Sequence, residues 1–415
     1  MSSETINTLV VGGGQAGLAM SEHLSNCGIE HLVLERLRIA ERWRSERWDS
    51  LVANGPAWHD RFPTLEFTDF DPDGFAPRDR VVQYFVDYAE MINAPIRCGV
   101  EVTSVKRGRG QTGFDVETSD GALHANNVVA ATGPFQIPNI PNLVPDETDI
   151  LQIHSTGYHN PQQLPDGSVL VVGAGSSGAQ IADELLLSGR KVYLSVGPHD
   201  LPPRRYRGRD FVWWLGVLGK WEAAALDPGM EHVTIAVSGA HGGHTVDFRQ
   251  YAERGMTLLG RTGSFSDGKM YFAADLAQNI SRGNVHTHSI LDEADEYIER
   301  HGLDLPEEPN ARFIRPDPDC VTNPIYELNL DAAGVNTIIW ATGFEVDFSW
   351  LKVDAFDAHG RPEHVRGVSS EPDVYFLGLP WLSRRGSSFI WGVWHDARYI
   401  ADQISIQNAY RAYSG

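Results

Sequence analysis

A strand, a glycine turn, a helix and a second strand follow one another twice in this sequence. The repeat predicts an α/β fold with two Rossmann-like dinucleotide-binding domains. Three observations carry that prediction. Residues 6–35 read INTLVVGGGQAGLAMSEHLSNCGIEHLVLE, with Gly12, Gly14 and Gly17 in the G-x-G-x-x-G spacing. Residues 169–196 read VLVVGAGSSGAQIADELLLSGRKVYLSV, with Gly173, Gly175 and Gly178 in the same spacing. Two further apolar runs each end on Ala-Thr-Gly, at Ala131-Thr132-Gly133 and Ala341-Thr342-Gly343.

In the first copy, Leu9, Val10 and Val11 form the short apolar run of a buried parallel strand. The first glycine allows the tight turn, the second lets the backbone approach a pyrophosphate, and the third lets the helix pack closely on the sheet. The helix N-terminus then offers unpaired N–H groups to phosphates. Leu32 to Leu34 form the second strand, and Glu35 ends it, placed to accept hydrogen bonds from a ribose diol. The next segment, to Phe67, is irregular. Trp43, Trp48 and Trp58 suit either a ligand cover or simple core filling, and Asn54, in ANGP, reads on its own as a turn residue.

Asp69, Asp71, Asp73 and Gly74 imitate a calcium loop. Arg80 stands where the bidentate Glu is needed, so no metal is expected. Arg80 to Ile92 has helical periodicity. Strands are expected at Val100 to Val105, Phe114 to Thr118 and Val128 to Ala131, and a proline-rich linker at Phe135 to Pro145.

The second copy lacks an acid after its second strand, Val192 to Val196. Gly197, Pro198 and His199 follow, and then Arg204, Arg205, Arg207 and Arg209. A missing carboxylate removes repulsion from a 2′-phosphate, and arginines pair with one, which favours NADPH over NADH; the same arginines also suit a solvated face. Helices are expected at 211–215 and 276–280, and an acidic surface connection at 293–308. The histidine pairs His241/His244 and His286/His288 lack partners at metal-ligand spacing. Val374 to Gly378 reads as a buried strand, and Trp391 to Ile404 as a helix whose N-terminal dipole suits a reduced flavin ring or whose faces simply pack.

The 415 residues imply two or three domains, and a net charge of -21 argues against nucleic-acid or anionic-membrane partners. No segment reads as a signal peptide or a membrane span, so a cytoplasmic protein is expected. Cys27, Cys98 and Cys320 are far apart and form no C-x-x-C, which disfavours dithiol chemistry.

These motifs, in this order, resemble the class B flavin-dependent monooxygenases, the group of flavin-containing, YUCCA-like and Baeyer–Villiger enzymes. Of the branch signature F-x-G-x-x-x-H-x-x-x-[FYW], His154 and Tyr158 match, while Thr148 and Ile150 replace the Phe and Gly. The resemblance implies FAD on the first fingerprint and NADPH on the second. It adds Gln15, Ala16, Arg36, Trp43, Thr132, Gly133, His154, Tyr158, Ser176, Ser177, Ala341, Thr342, Gly343, Gly378 and Asp396 as cofactor contacts, with His154 in the hinge and NADP-binding region. It sets Asn54 beside the flavin and nicotinamide as the catalytic residue. The implied activity inserts one oxygen atom of O2 into a small organic substrate through a C4a-(hydro)peroxyflavin, by N- or S-oxygenation, oxidative decarboxylation or Baeyer–Villiger chemistry. An NAD(P)H oxidase, an electron-transfer reductase and a non-catalytic flavoprotein stay open, as does a homodimer. The expected organisation is an FAD domain, 1–160 and 332–415, interrupted by an NADPH domain, 161–331.

Overall fold

The structure is a computed structural model that describes residues 4–108, 112–224 and 234–413. The first fingerprint opens a parallel sheet. β1 (Glu4–Val11) is followed by helix α1 (Gln15–Asn26) and β2 (His31–Glu35). Helix α2 (Glu41–Ser45) and helix α3 (Arg78–Met91) lead to β3 (Ile96–Cys98) beside β2. A meander of β4 (Val102–Arg107), β5 (Phe114–Thr118) and β6 (Gly121–Ala130) returns the chain to β1, with Val10 opposite Val129. The near-continuous apolar sequence of β1 and of the end of β6 follows from burial on both faces. On the other side of β6 lies the strand Val374–Phe376, also parallel, with Tyr375 opposite Val129. The final helix, Ile390–Ala412, buries Val393, Ala397 and Ile400 in the same core as Leu18 and Ala19 of α1. It extends well beyond the 391–404 expected from periodicity.

The second sheet has five parallel strands. β8 (Leu151–His154) lies at one edge, after the short β7 (Ile137–Pro138) of the linker. Next to it come Val335–Trp340, β9 (Ser168–Val172), β10 (Val192–Ser195) and Thr257–Leu259. Helix α4 (Ser176–Leu187) joins β9 to β10. This pairing corrects the expected domain edges. Residues 151–154, assigned to the first unit, and 335–340, assigned to the last, belong to the second sheet. The reason is that each Ala-Thr-Gly turn must lie against the glycine turn of its own strand. The amide of Ala131 donates to Val11 and that of Ala341 to Val172, both through main-chain carbonyls.

The chain crosses between the sheets twice, and the crossings are paired. β7 runs antiparallel to Phe344–Glu345. A second correction concerns 293–308: residues up to His301 continue a 26-residue helix, Leu276–His301, that buries Ile290, Leu291 and Ala294. Its acidic residues occupy the solvent side, where Asp292 and Asp295 pair with Arg312. The helix expected at 211–215 is present as Phe211–Val217.

Glu22 of α1 joins the layers. Its buried carboxylate accepts from the Tyr88 hydroxyl of α3, the Trp394 indole of the final helix and the Thr64 hydroxyl. Glu22→Leu strands those donors in the core and should lower the unfolding free energy by at least about 2 kcal/mol in urea titrations. Seven histidines, His23, His31, His154, His199, His286, His364 and His395, have pKa values pushed down by burial. Below about pH 6.5 the unfolded chain binds protons that the folded chain refuses. Stability should therefore be full above that pH and decline steadily below it, measurable as a falling urea midpoint between pH 7.5 and pH 5.5.

Candidate active site

One cavity of about 1520 Å³ reaches from the turn after β1 to the turn after β9. At each end the same local geometry builds its floor. Gly12 has φ +114°, and a Cβ there would lie 2.6 Å from the Ala131 carbonyl oxygen; Gly173 has φ +102°, and a Cβ there would lie 2.5 Å from that of Ala341. A Cβ on Gly17 would fall 1.8 Å from the Gly12 carbonyl oxygen, and one on Gly178 falls 1.8 Å from that of Gly173. No side chain fits at these four positions. At Gly14 nothing lies within 4 Å, so the backbone is bare on the side of the cavity.

Three helices open on this space by their N-termini. None of α1, α4 and Ile390–Ala412 has a side-chain cap, and none carries an acid in its first turn. Their first-turn N–H groups and positive dipole ends are left for a ligand. Gln15 ties two of them together, donating from Nε2 to the Ser388 carbonyl at 2.7 Å.

The cavity wall holds most of the expected site residues. Gly12, Gly14, Gln15, Ala16, Glu35, Arg36, Trp43, Thr132, Gly133 and Gly378 line it on the first-sheet side. Gly173, Gly175, Ser176, Ser177, Gly178, Ala341, Thr342 and Gly343 line it on the second. Glu35 accepts from the Gly13 and Leu37 amides at 2.7 and 2.9 Å, which fixes its carboxylate at the wall. Asn54 also lines the cavity, and its Oδ1 accepts from Gln180 of α4 at 2.9 Å.

Other expected contacts are placed elsewhere. Gly17 does not reach the wall; it serves the packing of α1 on β1. His154 is buried, with Nε2 donating to the Gly343 carbonyl at 3.0 Å and Nδ1 accepting from the Thr156 amide, so it pins the second Ala-Thr-Gly turn from behind. Tyr158 is buried and donates to Glu184 at 2.6 Å. Asp396 is buried and accepts from the Ser383 hydroxyl at 2.6 Å, bracing the turn that precedes the last helix.

The arginines are the main correction. Arg204 is 3% exposed, ion-paired with Asp210 and packed between the rings of Phe75 and Phe211. Arg207 pairs with Asp295, and Arg205 bonds the Gly242 carbonyl. None of the three lines the cavity. The cations beside the end of β10 are instead Arg261, which follows Thr257–Leu259 and lines the cavity with Gly197 and Pro198, and Arg282 on the helix Leu276–His301. Sequence spacing missed them because they reach this point through strand pairing, not chain proximity. Arg47, also missed, lines the wall; burial pushes its guanidinium down to about 10, so it stays cationic at neutral pH.

The donor set suits two dinucleotides. Bare backbone and helix N-termini are the groups that suit pyrophosphates, the Glu35 carboxylate is fixed at the wall, and the volume exceeds the roughly 300–1,000 Å³ of a single-ligand pocket. Among the described residues the cysteines, Cys27, Cys98 and Cys320, lie outside the wall. Glu35→Ala should leave the chain folded by circular dichroism yet purify with clearly reduced bound flavin; full flavin occupancy would contradict the ribose role.

Comparison with known proteins agrees with this geometry. Residues 9–207 match the model of the pyridine nucleotide-disulphide oxidoreductase family. An uncharacterized CzcO-like oxidoreductase of Geobacillus kaustophilus is 34% identical over 408 residues, covering 96% of this chain and 98% of that protein. The probable indole-3-pyruvate monooxygenase YUCCA4 of Arabidopsis thaliana is 28% identical over 411 residues, covering 96% and 90%. The solved flavin-containing monooxygenase from Stenotrophomonas maltophilia shares the fold with a TM-score of 0.67 at 20% identity, over 99% of this chain and all of that one. With two fingerprints opening on one cavity and relatives of this kind along nearly its whole length, the chain belongs to the CzcO-like oxidoreductase family and is similar to the flavin-dependent monooxygenases.

Proposed function

We propose that this protein uses NADPH and FAD to insert one oxygen atom of O2 into a small organic molecule. The observation that carries the reading is the single cavity shared by both fingerprints and by the N-terminus of the last helix. A hydride donor on one side and its acceptor on the other then meet without either leaving the protein. FAD would lie along Gly12 to Ala16 and Glu35, and NADPH along Gly173 to Gly178. In this reading the two ends of the chain form the FAD unit and the middle, from about residue 151 to 343, the NADPH unit. Bound flavin supplies hydride acceptance and oxygen activation.

The chain's own residues position, polarise and dry the site. The uncapped N-terminus at Ile390 favours negative charge on whatever ring lies before it. Trp48, Leu51, Val52, Phe389 and Ile390 line the cavity with apolar surface that keeps water from the reacting atoms. Asn54 brings an amide to the junction between the two units. Arg261 and Arg282 support a preference for the 2′-phosphate, with Asp275 the acid beside them, 3.9 Å from the Arg261 guanidinium.

Two measurements test this. Turnover under 18O2 should place one labelled atom in product and one in water. If every added compound leaves all consumed NADPH as hydrogen peroxide, the oxidase reading replaces this one. The variant Arg261→Ala/Arg282→Ala should lose at least about tenfold of the kcat/KM preference for NADPH over NADH, about 1.4 kcal/mol. Arg205→Ala, outside the wall, should keep it.

A further inference from the structure

We infer that Gln180 and Arg204 are positioning residues that hold Asn54 with its side-chain N–H2 turned into the cavity. An asparagine amide is nearly symmetric in shape and its last torsion is broad, so position alone does not decide which end faces a ligand. Here the neighbours decide it. Gln180, on α4, donates from Nε2 to the main-chain carbonyl of Val237 at 2.7 Å. A carbonyl only accepts, so the end of Gln180 that faces it must be the N–H2. The same nitrogen stands 2.9 Å from Asn54 Oδ1. Its two protons are thus used on Val237 and Asn54, and Asn54 must offer its oxygen there. The Asn54 nitrogen is left for the cavity, and no acceptor among the described residues takes it.

Arg204 holds the backbone of the same residue. Its Nη1 donates to the Asn54 carbonyl at 2.6 Å, while Nε and Nη2 are held by Asp210 at 2.9 and 2.5 Å. The next residue, Gly55, donates its amide to Asp60 at 2.8 Å. Asn54 is therefore gripped from α4 and from the segment after β10, both parts of the second unit, although it belongs to the loop that follows α2. A donor fixed in this way stabilises negative charge developing on an oxygen or carbonyl at the reacting end; a reversed amide would present a lone pair and repel it. This inference rests on the reading of Asn54 as the residue at the junction of the two cofactors.

The experiment uses the purified flavin-loaded enzyme and four forms: wild type, Asn54→Ala, Gln180→Leu and the double variant. Flavin content and thermal midpoint report folding, and if Gln180→Leu loses flavin, the longer Gln180→Met takes its place. The first readout is the fraction of consumed NADPH that appears as hydrogen peroxide. The second needs no turnover: the side-chain amide resonances of Asn54 in 15N-asparagine-labelled protein, assigned by their loss in Asn54→Ala. Gln180→Leu should raise peroxide release to about the level of Asn54→Ala, with the double variant no worse than Asn54→Ala alone. NADP⁺ affinity, from titration of the flavin absorbance, should change by less than about threefold, below 1 kcal/mol. The Asn54 amide resonances should shift and broaden in Gln180→Leu. Additive effects, or wild-type peroxide release in Gln180→Leu beside a raised release in Asn54→Ala, overturn the positioning role. Wild-type release in Asn54→Ala itself overturns the reading of Asn54, and this inference with it.

Discussion

Both halves of this protein depend on how closely two stretches of backbone can approach when no Cβ stands between them. At Gly17 and Gly178 the helix comes so near the preceding turn that an added methyl would sit 1.8 Å from a carbonyl oxygen. That approach brings the first turn of each helix down onto the end of its strand. It also sets where the Ala-Thr-Gly turns must lie, because Ala131 and Ala341 fill the space against Gly12 and Gly173. The strand that carries each Ala-Thr-Gly therefore belongs beside its own fingerprint. This is why Val335–Trp340 joins the second sheet and only Val374–Phe376 returns to the first.

The N-cap residues explain the electrostatics of the cavity. A helix whose N-cap is glycine or phenylalanine, as at Gly14, Gly175 and Phe389, has no side-chain oxygen to cap it. Its N–H groups remain unpaired unless a ligand or water takes them. Three such ends around one cavity make a positive interior in a chain whose net charge is -21. Anionic cofactors are attracted by the fold's backbone, and few side-chain cations are required.

Arginines show how little residue type decides without topology. Arg204 was a plausible phosphate partner from its place after the second strand, yet it is sealed between Phe75 and Phe211 and spent on Asp210 and the Asn54 carbonyl. Arg261 reaches the cavity wall beside the end of β10 because Thr257–Leu259 pairs with β10, a contact across more than sixty residues of chain. His154 and Tyr158 make the same point. They brace the backbone behind the cavity rather than face it.

The two glycine fingerprints, their strands and helices, the Ala-Thr-Gly turns and Glu35 were legible from the amino-acid sequence by itself, because each is a short-range requirement. A tight turn, a bare backbone and a period of apolar residues are written within about thirty neighbouring positions. What only the tertiary structure decided is whatever depends on strands and loops meeting across the chain. That covers the edges of the two units, the burial of Arg204, the arrival of Arg261 and Arg282 beside β10, and the direction of the Asn54 amide. Asn54 meets Gln180 and Arg204 only after both sheets have formed. No local pattern can encode which partner a side chain finds when the partners lie on elements that are joined by folding alone.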